Sequence, residues 1–121
     1  MAIKAVEERR AERARLVRVA RDYAERLADR LPGVRSVVVA GSVSRGDFNV
    51  WSDIDVIVVA DGLPDGVRDR LEVLLEGAPP GIEAFGYTPD ELERELGRRN
   101  ALVRDAVEHG VSVYGPGLAE R

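Results

Sequence analysis

The sequence contains no cysteine and no glutamine, and none of its apolar runs approaches the length of a membrane-spanning helix. Without cysteine, neither a disulfide framework nor a cysteine-ligated metal site can form. The first turns are already polar, so a secretory signal peptide is not expected. These absences predict a cytoplasmic protein that does not contact a membrane.

Excess positive charge is also lacking, because the net charge at pH 7 is −4. A protein that coats nucleic acid is usually basic, so no nucleic-acid partner is expected. Among 18 basic residues Lys4 is the only lysine, and Asn49 and Asn100 are the only asparagines. Few thermolabile amides and many charges are typical of a heat-adapted, thermophile protein or of a GC-rich source. The 121 residues suffice for one domain with its own core.

Hydrophobic periodicity divides the first half of the chain into helices and strands. A long apolar stripe predicts one N-terminal helix over residues 3–31, ended by Pro32-Gly33. The dense Glu and Arg residues of its first turns are interpreted as a solvated face with i,i+4 pairs. The predicted elements that follow are a strand at 34–40, a loop or short helix from Gly41 to Gly46, and a strand at 53–60.

The second half repeats this alternation and ends in a short strand. A helix from Pro64 or Asp65 is expected to bury four apolar residues, namely Val67, Leu71, Leu74 and Leu75. Residues 82–87 form a strand, and Thr88, Pro89 and Glu91 together predict a helix start with a capping box. Helical periodicity then continues with a break near residues 97–100, and the last expected elements are a strand at 111–114 and a frayed tail at 115–121. The predicted order is αβ(α)βαβααβ in a single domain, with a helix at 1–33, a core at 34–114 and that tail.

Asp53 and Asp55 stand at the start of a very apolar strand. Residues two apart on a strand point to the same face, with Cα atoms about 6–7 Å apart. Carboxylates this close repel each other unless a positive charge lies between them. A divalent metal is therefore expected here, and hard oxygen ligands on a rigid strand suit Mg²⁺.

Gly41-Ser42, eleven residues earlier, leaves the preceding strand in a turn. Glycine lets a phosphate approach the backbone, and Ser42 offers a hydroxyl beside its N–H. A helix starting near residue 43 would add partial positive charge at the same place. The predicted ligand is a metal-bound polyphosphate between this turn and the aspartates. Arg45 is interpreted either as a further phosphate contact or as a solvated loop arginine, and the alternative for Ser42 is a plain turn residue.

Glu83 is the third carboxylate predicted for the site, and the alternative interpretation is an exposed residue of an edge strand. It is framed by Ile82 and Ala84 in an otherwise apolar strand, where a carboxylate is costly unless paired or metal-bound. Two-metal transfer chemistry uses such an additional carboxylate. The other acidic residues of turns and caps are explained by their local roles.

The pattern Gly41-Ser42, eleven residues, Asp53-Ile54-Asp55 and a later strand carboxylate resembles the nucleotidyltransferase superfamily, which includes polymerase β-like enzymes. Its stretch Gly-Ser-Val-Ser-Arg-Gly and Ser-Asp-Ile-Asp resembles the small prokaryotic minimal nucleotidyltransferases. The resemblance implies an α/β (α+β) fold with a small mixed sheet, helices mainly on one face and a long N-terminal helix.

The resemblance also implies a reaction and a site. Asp53, Asp55 and Glu83 would be the catalytic residues and hold two Mg²⁺ ions, while Gly41 and Ser42 would bind the phosphates of ATP or another NTP. A hydroxyl on a protein or small molecule would receive a nucleoside monophosphate, AMP in the leading version. Relatives of this kind accompany a HEPN-domain toxin as the antitoxin that adenylylates it. The alternative is a non-catalytic module that neutralises such a partner by contact alone.

Several residues near this motif keep open interpretations. Many relatives carry aspartate where Glu83 stands. The glutamate of this sequence reaches one methylene further. Trp51 is expected to pack under its loop rather than stack on a base. His109 is interpreted as a helix C-terminal residue and not as catalytic. The exposed face of the long N-terminal helix could serve homo-oligomerisation or partner docking.

Overall fold

A computed structural model describes residues 2–49 and 52–120, without the side chain of Glu120. Five α-helices occur in these ranges: α1 (Ala2–Arg30), α2 (Gly41–Arg45), α3 (Val67–Leu75), α4 (Pro89–Leu96) and α5 (Ala101–His109). The strands are β1 (Val34–Ala40), β2 (Ile54–Ala60), β3 (Ile82–Tyr87) and β4 (Val111–Tyr114), and a 3-10 turn covers Leu118–Glu120. The predicted order of elements is confirmed.

The four strands form one mixed sheet in the order β3-β2-β1-β4. β1 pairs antiparallel with β2 and β4, whereas β2 and β3 run parallel. The register places Asp55 between Ala40 on one side and Glu83 on the other. The edge strands are β3 and β4, and Glu83 lies on β3.

Side chains on the two faces of the sheet contribute to two separate hydrophobic cores. Val37 and Val39 pack with α1 and with Leu74 of α3 on one face, and Val38 packs with α4 and α5 on the other. The mixed α/β fold with a long N-terminal helix is confirmed, but the helices cover both faces rather than mainly one. Both faces are covered because the strands are apolar at nearly every position and therefore need a partner on each side.

The helix after β2 differs from its prediction. It begins at Val67, after an N-cap at Gly66, and Leu74 alone is buried of the four residues predicted to be so. Val67 is 77% exposed, Leu71 40% and Leu75 39%. The expectation that all four are buried is wrong, because α3 packs beside the sheet edge and presents only one narrow side to the core.

Of two smaller predictions, the capping box of α4 is confirmed and the frayed tail is not. Thr88 accepts from the Glu91 N–H while the Glu91 carboxylate accepts from the Thr88 N–H, so the predicted capping box is confirmed. The tail expected to fray instead contains the 3-10 turn, whose Leu118 is buried in the α4–α5 core. Leu118 lies there because it covers apolar surface that would otherwise face water.

Tyr23 fixes α3 against α1. Its side chain is 3% exposed, and its hydroxyl donates to the Leu74 carbonyl at 2.8 Å. Burial raises the pKa of Tyr23 to about 12, so the phenol remains a donor at neutral pH. The hydrogen bond joins residues that are far apart in sequence.

We expect Tyr23→Phe to lower the free energy of unfolding by about 1 kcal/mol, because the buried carbonyl loses its partner. Denaturant unfolding measures the change. Tyr114→Phe, at a tyrosine 37% exposed, is the matched control and should have almost no effect. Equal losses for the two variants would contradict a role for this hydrogen bond.

Candidate active site

Asp55 and Glu83 form the centre of the candidate site. They are directly paired across the parallel β2–β3 ladder and point to the sheet face covered by α4 and α5. Their carboxyl groups are close enough to share a hydrogen bond when one is protonated. Asp53 lies just before β2, is exposed, and is near enough to repel Asp55.

The electrostatics of Asp55 reflect this crowding. Burial raises its pKa to about 6, with further contributions from the charge of Glu83, the hydrogen bond to Glu83 and the charge of Asp53. Arg45 acts in the opposite direction but does not cancel them. The folded protein therefore holds negative charge together at a cost.

Gly41 allows β1 to end directly beside Asp55. Its φ of +68° is in the left-handed region, and a Cβ added there would lie 2.3 Å from Asp55 Oδ2. Any side chain at this position would collide with the carboxylate. Glycine is thus required by both the backbone angle and the close approach.

Asp105 of α5 is a part of the site that the sequence did not predict. Its Oδ2 accepts from the Gly41 N–H at 3.0 Å and from Arg45 Nη1 at 2.9 Å. Arg45 also pairs with Asp47, so its guanidinium is held by two carboxylates. The only signal in the sequence was one acid beside buried Val103 and Ala106 in an amphipathic helix.

Ser42 lies in the first turn of α2 and is half-buried. Within the ranges that the structure describes, its hydroxyl makes no hydrogen bond. The next serine behaves differently, since buried Ser44 donates to the Gly41 carbonyl at 2.8 Å and closes the turn. Ser42 is therefore able to donate to a ligand, whereas Ser44 has a structural role.

Helix α2 and the loop after it are held by arginines of α1 that were interpreted as part of a solvated face. Arg13 donates to the carbonyls of Val43 and Ser44, and Arg9 donates to the Phe48 carbonyl at 2.6 Å. The Arg9 guanidinium also lies 4.7 Å from the centre of the Phe48 ring. The interpretation was wrong for these two, because helical spacing does not show which exposed arginines reach a distant loop.

Two of the predicted carboxylates, Asp55 and Glu83, are thus brought together, and Asp53, Gly41 and Ser42 lie around them. Asp53, Asp55 and Glu83 occupy one end of the sheet, with Gly41 in contact with Asp55 and Ser42 next along α2. Trp51, which is predicted to pack under its loop, lies outside the described residues. His109 is exposed at the end of α5, far in sequence from these groups.

Comparison with known proteins decides the family. The nucleotidyltransferase domain profile matches residues 20–113, most of the chain. The chain belongs to the nucleotidyltransferase domain family. It is therefore a nucleotidyltransferase, and members of this family typically use a divalent metal.

Solved structures share the fold at low sequence identity. A protein from Sulfolobus solfataricus, described as a nucleotidyltransferase, is 22% identical, with 86% of this chain and 84% of that chain covered and a TM-score of 0.66. A toxin–antitoxin complex with AMP-PNP is also 22% identical, with coverage of 79% and 73% and a TM-score of 0.56. A mutant of the toxin–antitoxin complex MntA-HpeT is 19% identical, with the same coverage and TM-score. No curated protein matches the sequence.

The donor set of the nucleotidyltransferase fits a divalent metal in its chemistry. Asp53, Asp55 and Glu83 supply hard carboxylate oxygens. The pKa of Asp55 is raised first by burial and then by the charges of Glu83 and Asp53, and a bound cation would offset that repulsion. Among the described residues, no three Asp, Glu, His or Cys side chains are already gathered around a metal position. Exposed Asp53 would therefore join the Asp55–Glu83 pair on binding.

No described helix is both long and apolar enough to cross a membrane.

Proposed function

We propose that this nucleotidyltransferase transfers AMP from ATP to a hydroxyl group of a partner protein. The observation that carries the proposal is the Asp55–Glu83 pair, held side by side by strand register next to Gly41-Ser42. A structural neighbour that is a toxin–antitoxin complex with AMP-PNP supports an adenine nucleotide and a toxin partner. A HEPN-domain toxin is the partner that the sequence resemblance favours.

Asp53, Asp55 and Glu83 would hold two Mg²⁺ ions in this proposal. When bound, the metal neutralises phosphate charge and lowers the pKa of an attacking hydroxyl. Ser42 donates a hydrogen bond to the terminal phosphates, while the missing side chain of Gly41 leaves space for the Asp55 carboxylate. The Gly41 N–H is already satisfied by Asp105, so the serine hydroxyl contributes the stronger contact.

The proposed chemistry is a single displacement at the α-phosphorus of ATP. The acceptor oxygen forms a bond to that phosphorus, the bond to the bridging oxygen breaks, and pyrophosphate leaves with the bonding electrons. The proton of the hydroxyl passes to the Glu83 carboxylate, which is exposed and adjacent to Asp55. A tyrosine on the partner is the proposed acceptor.

Transfer can be tested with ATP labelled at its α-phosphate, Mg²⁺ and the protein encoded by the neighbouring gene. We expect the label on that protein, and much less with labelled GTP, CTP or UTP. ATP labelled at the γ-phosphate is the matched control, because its label leaves with pyrophosphate. Absence of α-label with all four nucleotides would exclude the proposal.

A second function is that of a module that neutralises its partner by contact alone. The two are separated by the double variant Asp53→Asn, Asp55→Asn, assayed for neutralisation in cells that produce the partner. The enzyme should lose neutralisation by at least about 10²-fold, because loss of metal-binding charge removes several kcal/mol of transition-state stabilisation. A module acting by contact would keep it. The cost of holding like charges together favours the enzyme, since a binding module would gain stability by losing them.

A further inference from the structure

A groove runs between α3 and the edge strand β3 and begins at Glu83. Its volume is about 670 Å³. Its wall on the helix side is apolar, with Val67, Leu71 and Leu75 all substantially exposed. An apolar row of this kind beside a candidate catalytic residue indicates a surface that another molecule covers.

Among the described residues, β3 has no partner strand on the side of this groove. β3 pairs with β2 on one side and is the edge of the sheet on the other. The Gly81 carbonyl accepts from the Ile54 N–H of β2, whereas the Gly86 carbonyl turns away and accepts from Arg70. Because backbone groups alternate in direction along a strand, Ile82 and Ala84 direct their N–H and C=O groups outward. An extended segment can hydrogen-bond there as an added strand.

Charge selects the kind of segment that fits. The groove is lined by three carboxylates, those of Asp65, Glu83 and Glu91, and by one guanidinium, that of Arg70. Arg70 is already paired with Glu91 at 2.7 Å. Asp65 and Glu83 therefore give the groove a negative balance. A second copy of this chain would place acid against acid, while a basic segment would be attracted.

We propose that the groove binds the acceptor as an extended basic segment that adds to β3 and presents its hydroxyl to Glu83. This inference rests on the proposed function and specifies the acceptor of the same site. A side chain of the added strand on the same face as Glu83 lies about 5 Å from it between Cβ atoms, or about 7–8 Å diagonally. A serine or threonine hydroxyl reaches at the first distance, and a tyrosine hydroxyl at the second.

Strand alternation also fixes the pattern of the segment. Residues facing α3 meet Leu71 and Leu75 and should be apolar, while residues facing Glu83 should be basic or carry the hydroxyl. A seven-residue peptide, Val-Arg-Val-Tyr-Val-Arg-Val, satisfies both requirements. The charge-reversed peptide, Val-Glu-Val-Tyr-Val-Glu-Val, is its matched control.

Binding is measured by nitrogen-15 NMR titration without nucleotide or Mg²⁺, so the result does not depend on catalysis. We expect shifts confined to β3, α3 and the residues around Glu83, and binding at least about tenfold weaker for the charge-reversed peptide. Leu71→Ser should weaken binding about tenfold through lost apolar contact. Val6→Ser, at an exposed apolar residue of α1, should not change it.

Ile82→Pro tests the hydrogen bonds, because it removes an outward N–H at the first residue of an edge strand, where proline is tolerated. Loss of peptide binding supports strand addition if the NMR resonances of β2 and β3 stay at their wild-type positions. If this variant fails to fold, the same peptide methylated on alternate backbone nitrogens replaces it and should fail to bind. Equal binding of both peptides, equal binding by Leu71→Ser, or a wild-type dimer that Leu71→Ser separates would overturn the inference. Peptide binding without AMP transfer would instead count against the proposed function alone.

Discussion

Replacing Asp55 with asparagine should abolish nucleotide transfer and make the folded protein more stable. Asp55 is central to the carboxylate group, paired with Glu83 in the strand register and repelled by Asp53. Asparagine keeps the shape but removes the charge that would hold a metal. We expect the transfer rate to fall by about 10²-fold or more, since metal stabilisation of the transition state is worth several kcal/mol.

The gain in stability follows from the pKa of Asp55. Its value in the folded protein is about 6, above the ordinary 3.8 of an aspartate. The folded state therefore binds the proton more tightly than the unfolded state. Stability associated with this residue is present below about pH 4 and is lost as the pH rises through 6. Asparagine does not ionise, so it avoids this loss.

Thermal unfolding in EDTA measures the effect at pH 8 and at pH 4. At pH 8 we expect the Tm of Asp55→Asn to be higher than that of the wild type by roughly 5 °C. At pH 4 the two Tm values should be equal. Asp22→Asn, on the exposed face of α1, is the control for loss of one negative charge. A variant less stable than the wild type at pH 8 would contradict the electrostatic account.

Added Mg²⁺ gives a readout of metal binding that needs no substrate. A ligand that binds only the folded state stabilises it, by about 2.7 kcal/mol at a hundred times its Kd. The wild type and Asp22→Asn should therefore gain Tm with Mg²⁺, and Asp55→Asn should not. An equal gain in all three proteins would place the metal elsewhere.

The sequence was sufficient for the elements whose signals are local. Alternation and β-branched residues predicted β1, β2 and β3, and the capping pattern at Thr88 and Glu91 predicted the start of α4. The motif of Gly41 and the aspartates predicted the family. Glu83 was chosen as a carboxylate within an apolar strand. It is exposed at the sheet edge, so burial does not demand a partner for it, but the register places Asp55 beside it.

Features that depend on the packing of distant elements could not be predicted. Asp105 reaches Gly41 only because α5 crosses the end of β1, and no local pattern states where a helix crosses. The exposed Leu71 has the same helical spacing as a buried residue. Periodicity identifies the apolar side of a helix, but it does not show whether a neighbouring element is present to cover that side.

Gly41→Ala should damage both the stability of the fold and the candidate active site. The added Cβ would lie 2.3 Å from Asp55 Oδ2, and the backbone angle of +68° disfavours any residue with a side chain. The end of β1 or the carboxylate must move, and either movement disturbs the site. We expect a loss of stability of about 2–4 kcal/mol from strain and overpacking, together with loss of transfer.

Gly46 supplies the matched control for the backbone angle alone. Its φ is +84°, and a Cβ added there meets nothing within 4 Å. Gly46→Ala should therefore cost only the left-handed penalty of about 1–2 kcal/mol and leave transfer largely intact. Equal losses in denaturant unfolding for the two variants would show that contact with Asp55 is unimportant.

A double-mutant cycle isolates that contact. In the Asp55→Ala background the carboxylate oxygen is gone, and the remaining Cβ of residue 55 is 3.5 Å from the added methyl, an ordinary contact. Gly41→Ala should then cost no more than Gly46→Ala does, so the two Gly41 measurements should differ by about 1–2 kcal/mol. Additive losses in the cycle would mean that the strain lies in the backbone alone. If Gly41→Ala instead costs less in the Asp55→Ala background than in the wild type, Gly41 is glycine because the Asp55 carboxylate needs the space.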